Sequence, residues 1–131
     1  MAYEILFMIG RLIAGGYFVM SGATHFIQLG SLTGYAQSKN VPMAKLAVTF
    51  SGLLLLLGGV SILTGIYPQI GIACIAAFFL GVTFKMHDYW NAPKEQKMSE
   101  KINFMKNVAL LGSALMWLAI QTPWPYSLGI F

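Results

Sequence analysis

The sequence predicts an all-α integral membrane protein, built as an up-down bundle of four transmembrane helices in a single domain over residues 1–131. Composition is the first reason: 57% of the residues are hydrophobic and 9% are charged, whereas soluble domains carry about a quarter charged residues. The second reason is four apolar stretches, each close to the ~20 residues that cross a bilayer as a helix. Helices are required because lipid offers no hydrogen-bond partner to an open backbone.

The four stretches cover about residues 5–26, 46–66, 70–89 and 104–120. Residues 64–69 contain Gly65 and Pro68, so only a tight turn joins the second and third helices. Residues 28–44 and 91–101 are more polar and are predicted to be loops. Pro42 suits the first turn of the helix that follows the first of these loops.

Small residues predict how the helices meet, because thin helix faces let two backbones approach closely in lipid. Such residues recur along one face of each of the first three helices: Gly15 and Gly22, Gly52 and Gly59, Ala77 and Gly81.

The formal net charge of +4 is explained by membrane topology and not by nucleic-acid binding, because the lysines cluster in two loops and at the adjoining helix ends. These are Lys39, Lys45, Lys85, Lys94, Lys97, Lys101 and Lys106. The positive-inside rule places this side in the cytoplasm and both termini outside. Trp124 is expected in an aromatic belt at the outer interface.

Arg11 is a charge inside the first predicted helix, and two interpretations stand. It either snorkels to the outer interface or faces a polar cavity and holds an anionic or carbonyl-bearing ligand. Arg11 and His25 lie on one helix face that also carries Gly15, Phe18 and Gly22. The two polar residues are about 21 Å apart along the axis, so they cannot share a small ligand.

The topology brings a second polar group together at the cytoplasmic helix ends: His25, Lys85, His87, Asp88, Asn103, Lys106 and Asn107. Two histidines and an aspartate could bind a metal, transfer protons or donate hydrogen bonds to a quinone head group. They could equally form interfacial hydrogen bonds without chemistry. A metal site is disfavoured, because His87 and Asp88 are adjacent and no HxxxH or ExxH pattern is present.

The chain resembles the DoxX family of small four-helix bacterial and archaeal membrane proteins. The matching pieces are Arg11-Leu12-Ile13, Phe18, Ser21-Gly22-Ala23-Thr24-His25-Phe26, Asn40-Val41-Pro42, Leu57-Gly58-Gly59, Gly65, His87 and Asn103-Phe104-Met105-Lys106-Asn107. They extend over most of the chain, and their order and spacing are more specific than any one motif.

The family is similar to the small membrane subunits of thiosulfate:quinone oxidoreductase, and other members are linked with thiol-redox complexes. The resemblance implies a prokaryotic inner (cytoplasmic) membrane and makes Arg11, His25, His87 and Asn107 candidates for a quinone or polar-ligand site. Lys85, Asp88, Asn103 and Lys106 would support it. Leu55 departs from the family, because many relatives carry a glutamate there.

The leading hypothesis is therefore an accessory subunit of a quinone-linked oxidoreductase. The chain has no binding motif for haem, flavin or an iron–sulfur cluster, so redox centres would come from a partner protein, and a quinone would be bound without a covalent link. The alternative is a non-enzymatic scaffold, small-solute binder or permease-like homo-oligomer in the lipid bilayer. Whether the chain is itself catalytic stays open at this point.

Overall fold

The protein is described by a computed structural model that covers residues 1–129. This part of the chain forms α1 (Ala2–Ile27), α2 (Leu29–Ser38), α3 (Ala44–Thr64), α4 (Pro68–Met86) and α5 (Lys94–Trp117), with a 3-10 turn at Tyr89–Asn91. The predicted fold class, an all-helical membrane bundle, is confirmed. Three segments, Ala2–Ile27, Ala44–Thr64 and Pro68–Asn91, are long and apolar enough to cross a membrane. The last two residues of the predicted domain, 130 and 131, lie outside the described part.

Two segments that were predicted to be loops are helical. Helix α2 occupies most of residues 28–44, and α5 begins within 91–101, ten residues before the predicted fourth span. Neither segment has an apolar run long enough to stand out in the sequence. Helix α2 is stabilised instead by a few packing contacts with α3, since Leu32 and Ala36 pack with Val48. Pro93 precedes α5, and Glu95 lies in its first turn, where a negative charge complements the helix dipole.

Helices α1 and α3 touch backbone to backbone, as the glycine spacing predicts. A Cβ atom on Gly59 would lie 2.8 Å from the backbone nitrogen of Val19 and 3.0 Å from the carbonyl oxygen of Gly15. A Cβ on Gly22 would lie 3.0 Å from the carbonyl oxygen of Gly52. The same prediction is wrong for Gly81, because no atom lies within 4 Å of a Cβ placed there.

The tight turn between α3 and α4 is confirmed, and it holds these two helices together at one end. Gly65 ends α3 with φ of 76°, a left-handed conformation that glycine adopts without strain. Further into the helices, a Cβ on Gly58 would lie 2.8 Å from the carbonyl oxygen of Gly71. The helices are therefore closely packed beside the turn.

The centre of the bundle is aromatic. Phe18 of α1 is 1% exposed, and its ring lies edge-on to Phe79 of α4 and Trp117 of α5, at 6.0 and 6.3 Å between centroids. Phe104 of α5 packs against Phe84 of α4 in the same way, at 5.5 Å. Large side chains thus fill the space between helices that glycines do not draw together.

The chain after α5 folds back onto the turn between α3 and α4. The backbone N–H of Leu128 donates to the carbonyl of Thr64 at 2.8 Å, and the Ser127 hydroxyl donates to the carbonyl of Gly65 at 3.0 Å. Trp124, which was expected in an interfacial belt, is turned into the protein, and its depth in the membrane stays a prediction. Its side chain is 3% exposed, and its ring lies edge-on to Phe7 at 5.1 Å.

Candidate functional site

A cavity of about 480 Å³ lies at the end of the bundle away from the α3–α4 turn. We call it the lateral cavity. All five helices contribute to its walls: Tyr17, Ser21 and His25 of α1; Leu32, Tyr35 and Ala36 of α2; Ala47, Val48, Phe50, Ser51, Leu54 and Leu55 of α3; Ala77, Phe78, Phe79, Gly81, Val82, Lys85 and Met86 of α4; and Lys106 and Asn107 of α5. Val41 and His87, which lie between helices, complete the lining.

The cavity follows from the way α3 and α4 diverge. Beside their turn, Gly58 and Gly71 bring the two backbones together. At the far end the facing positions, such as Leu54 and Ala77, line open space, and α2 covers the end of the gap. Phe50 and Tyr17 are 60% and 48% exposed, so the cavity reaches the sides of the bundle.

The structure brings five of the eight predicted site residues to this cavity. These are His25, Lys85, His87, Lys106 and Asn107. Asn107 is 8% exposed, although an amide in a membrane bundle is costly to bury without partners. The grouping supports the prediction that the polar helix ends form one site, and ligand binding there stays a prediction.

His25 has a defined hydrogen-bonding pattern. Its Nδ1 lies 2.8 Å from the carbonyl oxygen of Ser21, one turn earlier in α1. Because a carbonyl only accepts, Nδ1 carries the proton, and the neutral ring keeps Nε2 as an acceptor. The ring edge also packs against Phe78 at 5.8 Å. A neutral His25 can thus accept a proton from a ligand, and a protonated one can donate to a carbonyl.

His87 is paired with a carboxylate from residues 91–101, the segment that was predicted to be a loop. Its Nδ1 lies 3.2 Å from Oε2 of Glu100 in the first half of α5. A carboxylate in this position accepts a hydrogen bond from Nδ1–H and so fixes the orientation of the imidazole ring. His87 and Glu100 thus form an oriented pair beside the cavity.

Tyr35 of α2 is the second residue that sequence reasoning missed. Its hydroxyl is 3.1 Å from the carbonyl oxygen of Met86 and 3.3 Å from each carboxylate oxygen of Glu100. Burial raises the pKa of Tyr35 to about 12, and the negative charge of Glu100 acts in the same direction. The hydroxyl therefore stays protonated and joins α2 to α4 and α5.

Two predicted supporting residues lie outside the lining. Asp88 forms an ion pair with Lys39, at 2.9 Å between Nζ and Oδ1, and accepts a hydrogen bond from the Asn91 amide at 3.3 Å. This pair fastens the end of α2 to the segment after α4. Asn103 is half-buried on α5, one turn before Asn107, and does not line the cavity. Within residues 1–129, no three His, Cys, Asp or Glu side chains group in a way that could hold a metal ion.

Arg11 lies at the opposite end of the bundle and is 4% exposed, so it does not snorkel to the interface. Its Nε and Nη2 donate to the carbonyls of Ile62 and Leu63 at 3.0 Å each, and its Nη1 donates to the carbonyl of Pro125. These contacts join α1, α3 and the C-terminal segment. A structural role is what this geometry favours, and ligand binding by Arg11 stays a prediction.

Leu55 lies in the cavity wall and is 1% exposed. The position at which the resemblance implies a glutamate therefore faces the same cavity as His25 and His87. An apolar side chain there makes the middle of this cavity less polar and leaves the polar groups at one end.

Comparisons with known proteins agree with the membrane assignment. A sequence model of the family described as DoxX matches residues 6–88, which include both histidines and most of the cavity wall. Inner membrane protein YphA of Escherichia coli (strain K12) is 26% identical over 127 residues, covering 97% of this chain and 90% of the relative. No solved structure matches the chain.

Proposed function

This chain belongs to the DoxX family of membrane proteins, and we propose that it is a quinone-binding subunit of a quinone-linked, thiosulfate- or thiol-related oxidoreductase in the prokaryotic inner membrane. The observation that carries the proposal is the lateral cavity, which combines two histidines at one end with apolar walls on helices that are long and apolar enough to cross a membrane. The lysine distribution further supports an orientation in which this end faces the cytoplasm.

The size and lining of the cavity suit a quinone ring. Its volume of about 480 Å³ lies within the roughly 300–1,000 Å³ typical of small-molecule sites. Phe78, Phe79 and Leu55 offer flat and branched apolar surfaces to the ring. The Asn107 amide can donate to a ring oxygen, whereas Nε2 of His25 and of His87 accepts from a quinol hydroxyl when the ring is neutral and donates to a quinone oxygen when the ring is protonated. The ligand would be held by these few oriented polar contacts within an apolar site.

The chemistry needed at the site is proton transfer. Reduction of a quinone to a quinol takes two electrons and two protons, one proton at each ring oxygen. In their protonated forms His25 and His87 would deliver these protons from Nε2 and become neutral, and Glu100, 3.2 Å from His87, would help to restore the proton on that ring. The electrons would come from the redox centre of a partner protein, which makes this chain the quinone-facing part of a larger complex.

The test is purification from native membranes in mild detergent, followed by mass spectrometry of bound small molecules and copurifying proteins. We expect about one quinone per chain and a redox enzyme in the same complex. His25→Ala should weaken binding of the quinone in its reduced form at least tenfold, because the hydrogen bond that Nε2 accepts from a ring hydroxyl is lost. Thr24→Ala is the matched control, since the Thr24 hydroxyl bonds the Met20 carbonyl and does not line the cavity.

A homo-oligomer that carries only bulk lipid and no quinone would contradict the proposal. Solute flux through that oligomer in vesicles, unaffected by quinones, would instead favour the permease-like alternative. Equal binding of the reduced quinone by wild type and His25→Ala would place the ligand outside the lateral cavity.

A further inference from the structure

We propose that the ligand of the lateral cavity is a tailed amphiphile whose apolar tail leaves the protein between α3 and α4, across Gly81. The inference rests on the proposed function, since it assumes that a quinone ring occupies the polar end. It adds the path of the tail and names Gly81 as the residue that keeps this path open.

The residues that line the cavity extend from the histidines to exposed positions of α3 and α4. On the α3 side this outer part is lined by Ala47, Phe50 and Leu54, and on the α4 side by Ala77 and Gly81. Phe50 is 60% exposed. All five side chains are apolar or absent, so this part of the wall offers nothing to a polar head group and suits a hydrocarbon chain.

Ala77, Gly81 and Lys85 are four residues apart and therefore form one stripe along α4. Along this stripe the residues change from apolar to charged toward the C-terminal end of α4. A ligand aligned with it would have its polar head beside Lys85 and the histidines, and its tail over Gly81 and Ala77. This order of residues matches an amphiphile better than a compact polar solute.

Gly81 is the one residue of this stripe without a side chain. A Cβ atom there would have no atom of the protein within 4 Å, so glycine is not required for helix packing at this position. Gly81 is about 20 Å along the helix axis from Pro68 and about 8 Å from Met86, which places it at hydrocarbon depth in a membrane span. The path therefore opens into the part of the bilayer where lipid and quinone tails lie.

Gly81→Leu tests the path. A Cβ added at Gly81 has no protein atom within 4 Å, and leucine favours a helix more than glycine does, so the variant should fold. Gly112→Leu is the matched control, because Gly112 of α5 is also exposed and likewise has no atom within 4 Å of a Cβ. It does not line the cavity. The probes are a benzoquinone with a decyl tail and the same ring without a tail, each measured by equilibrium binding in phospholipid nanodiscs.

We expect wild type and Gly112→Leu to bind the tailed quinone more tightly than the tailless ring. Gly81→Leu should weaken binding of the tailed quinone at least tenfold while leaving the tailless ring within about twofold of wild type. Retained binding of the tailless ring shows that the head-group site is intact in the variant.

The inference is overturned if Gly81→Leu binds the tailed quinone as wild type does, or if it weakens both probes equally. It is also overturned if wild type binds the two probes with the same affinity. In these outcomes the proposed function survives, because the ring still binds to wild type. If wild type binds neither probe, the proposed function itself is wrong, and the inference about the tail is wrong as well.

Discussion

Arg11 shows how a charged side chain inside a membrane helix can serve the fold. Its planar guanidinium donates to three backbone carbonyls that α3 and the C-terminal segment leave without helical partners. The rings of Trp124 and Phe7 lie 5.6 and 5.9 Å from its central carbon. The charge is thus surrounded by carbonyl oxygens and aromatic rings, both of which stabilise a cation.

Replacing Arg11 should destabilise the protein. Arg11→Met keeps a long side chain but leaves these carbonyls without donors, at about 1–3 kcal/mol for each buried group left unsatisfied. We expect a lower thermal unfolding midpoint in detergent and unchanged quinone affinity in the folded fraction. Lys97→Met, at an exposed position of α5, is the control and should unfold as wild type does. Normal stability with lost quinone binding would assign Arg11 to the ligand site instead.

Ionisation of Tyr35 should lower the stability of the folded protein at high pH. Its pKa is raised from 10.0 to about 12 in the folded protein, so folding favours the protonated hydroxyl. The corresponding stabilisation is complete below pH 10.0 and is lost as the pH rises through about 12. Ultraviolet titration should show one tyrosine ionising near pH 12, and Tyr35→Phe should remove that step. A titration unchanged by Tyr35→Phe would contradict this assignment.

Part of the site could be predicted from the sequence, because several of its residues lie at the ends of the apolar segments. His25, His87 and Asn107 stood out because polar groups are rare at the ends of apolar segments. Glu100 was missed because it was assigned to a loop, yet it lies three residues before Asn103 and seven before Asn107, a spacing that places all three on one helix face. Tyr35 carried no such signal, since its position depends entirely on the packing of α2.

At the level of helices, apolar length predicted α1, α3 and α4 to within a few residues. The same criterion missed α2 and the start of α5, because lipid does not select for apolar residues outside the hydrocarbon. Helix α2 contains Gly30 and Gly34 and has little intrinsic helix propensity. It is held by tertiary contacts, notably Tyr35 with Glu100 and Lys39 with Asp88, which become visible only once the helices are assembled.

The contact between α1 and α3 should tolerate no added methyl group at its centre. Gly59→Ala would place a Cβ against backbone atoms of Val19 and Gly15, which cannot move aside as a side chain could. We expect a clearly lower unfolding midpoint. Gly16→Ala, on the same α1 but with no atom within 4 Å of its Cβ, should be neutral or slightly stabilising. Similar midpoints for the two variants would show that α1 and α3 are less tightly packed in the membrane.

At the scale of the whole molecule, the predicted topology puts the lysine-rich end in the cytoplasm and both termini outside. This requires α5 to cross the bilayer with its apolar part, while the charged turns around Lys94 and Lys101 project beyond the hydrocarbon. Fusions to a reporter enzyme that is active only outside the cytoplasm should be active at both termini. Activity at the N-terminus alone would mean that α5 does not span, and activity at neither would invert the orientation.

The tail path proposed between α3 and α4 has a consequence for how the site is filled. A ligand with a hydrocarbon tail partitions almost wholly into the membrane, so its occupancy follows its mole fraction among the lipids and not the volume of the buffer. Diluting the membranes leaves that fraction, and therefore the occupancy, unchanged, whereas adding empty lipid lowers both. The protein would in this way respond to the composition of the membrane in which it resides.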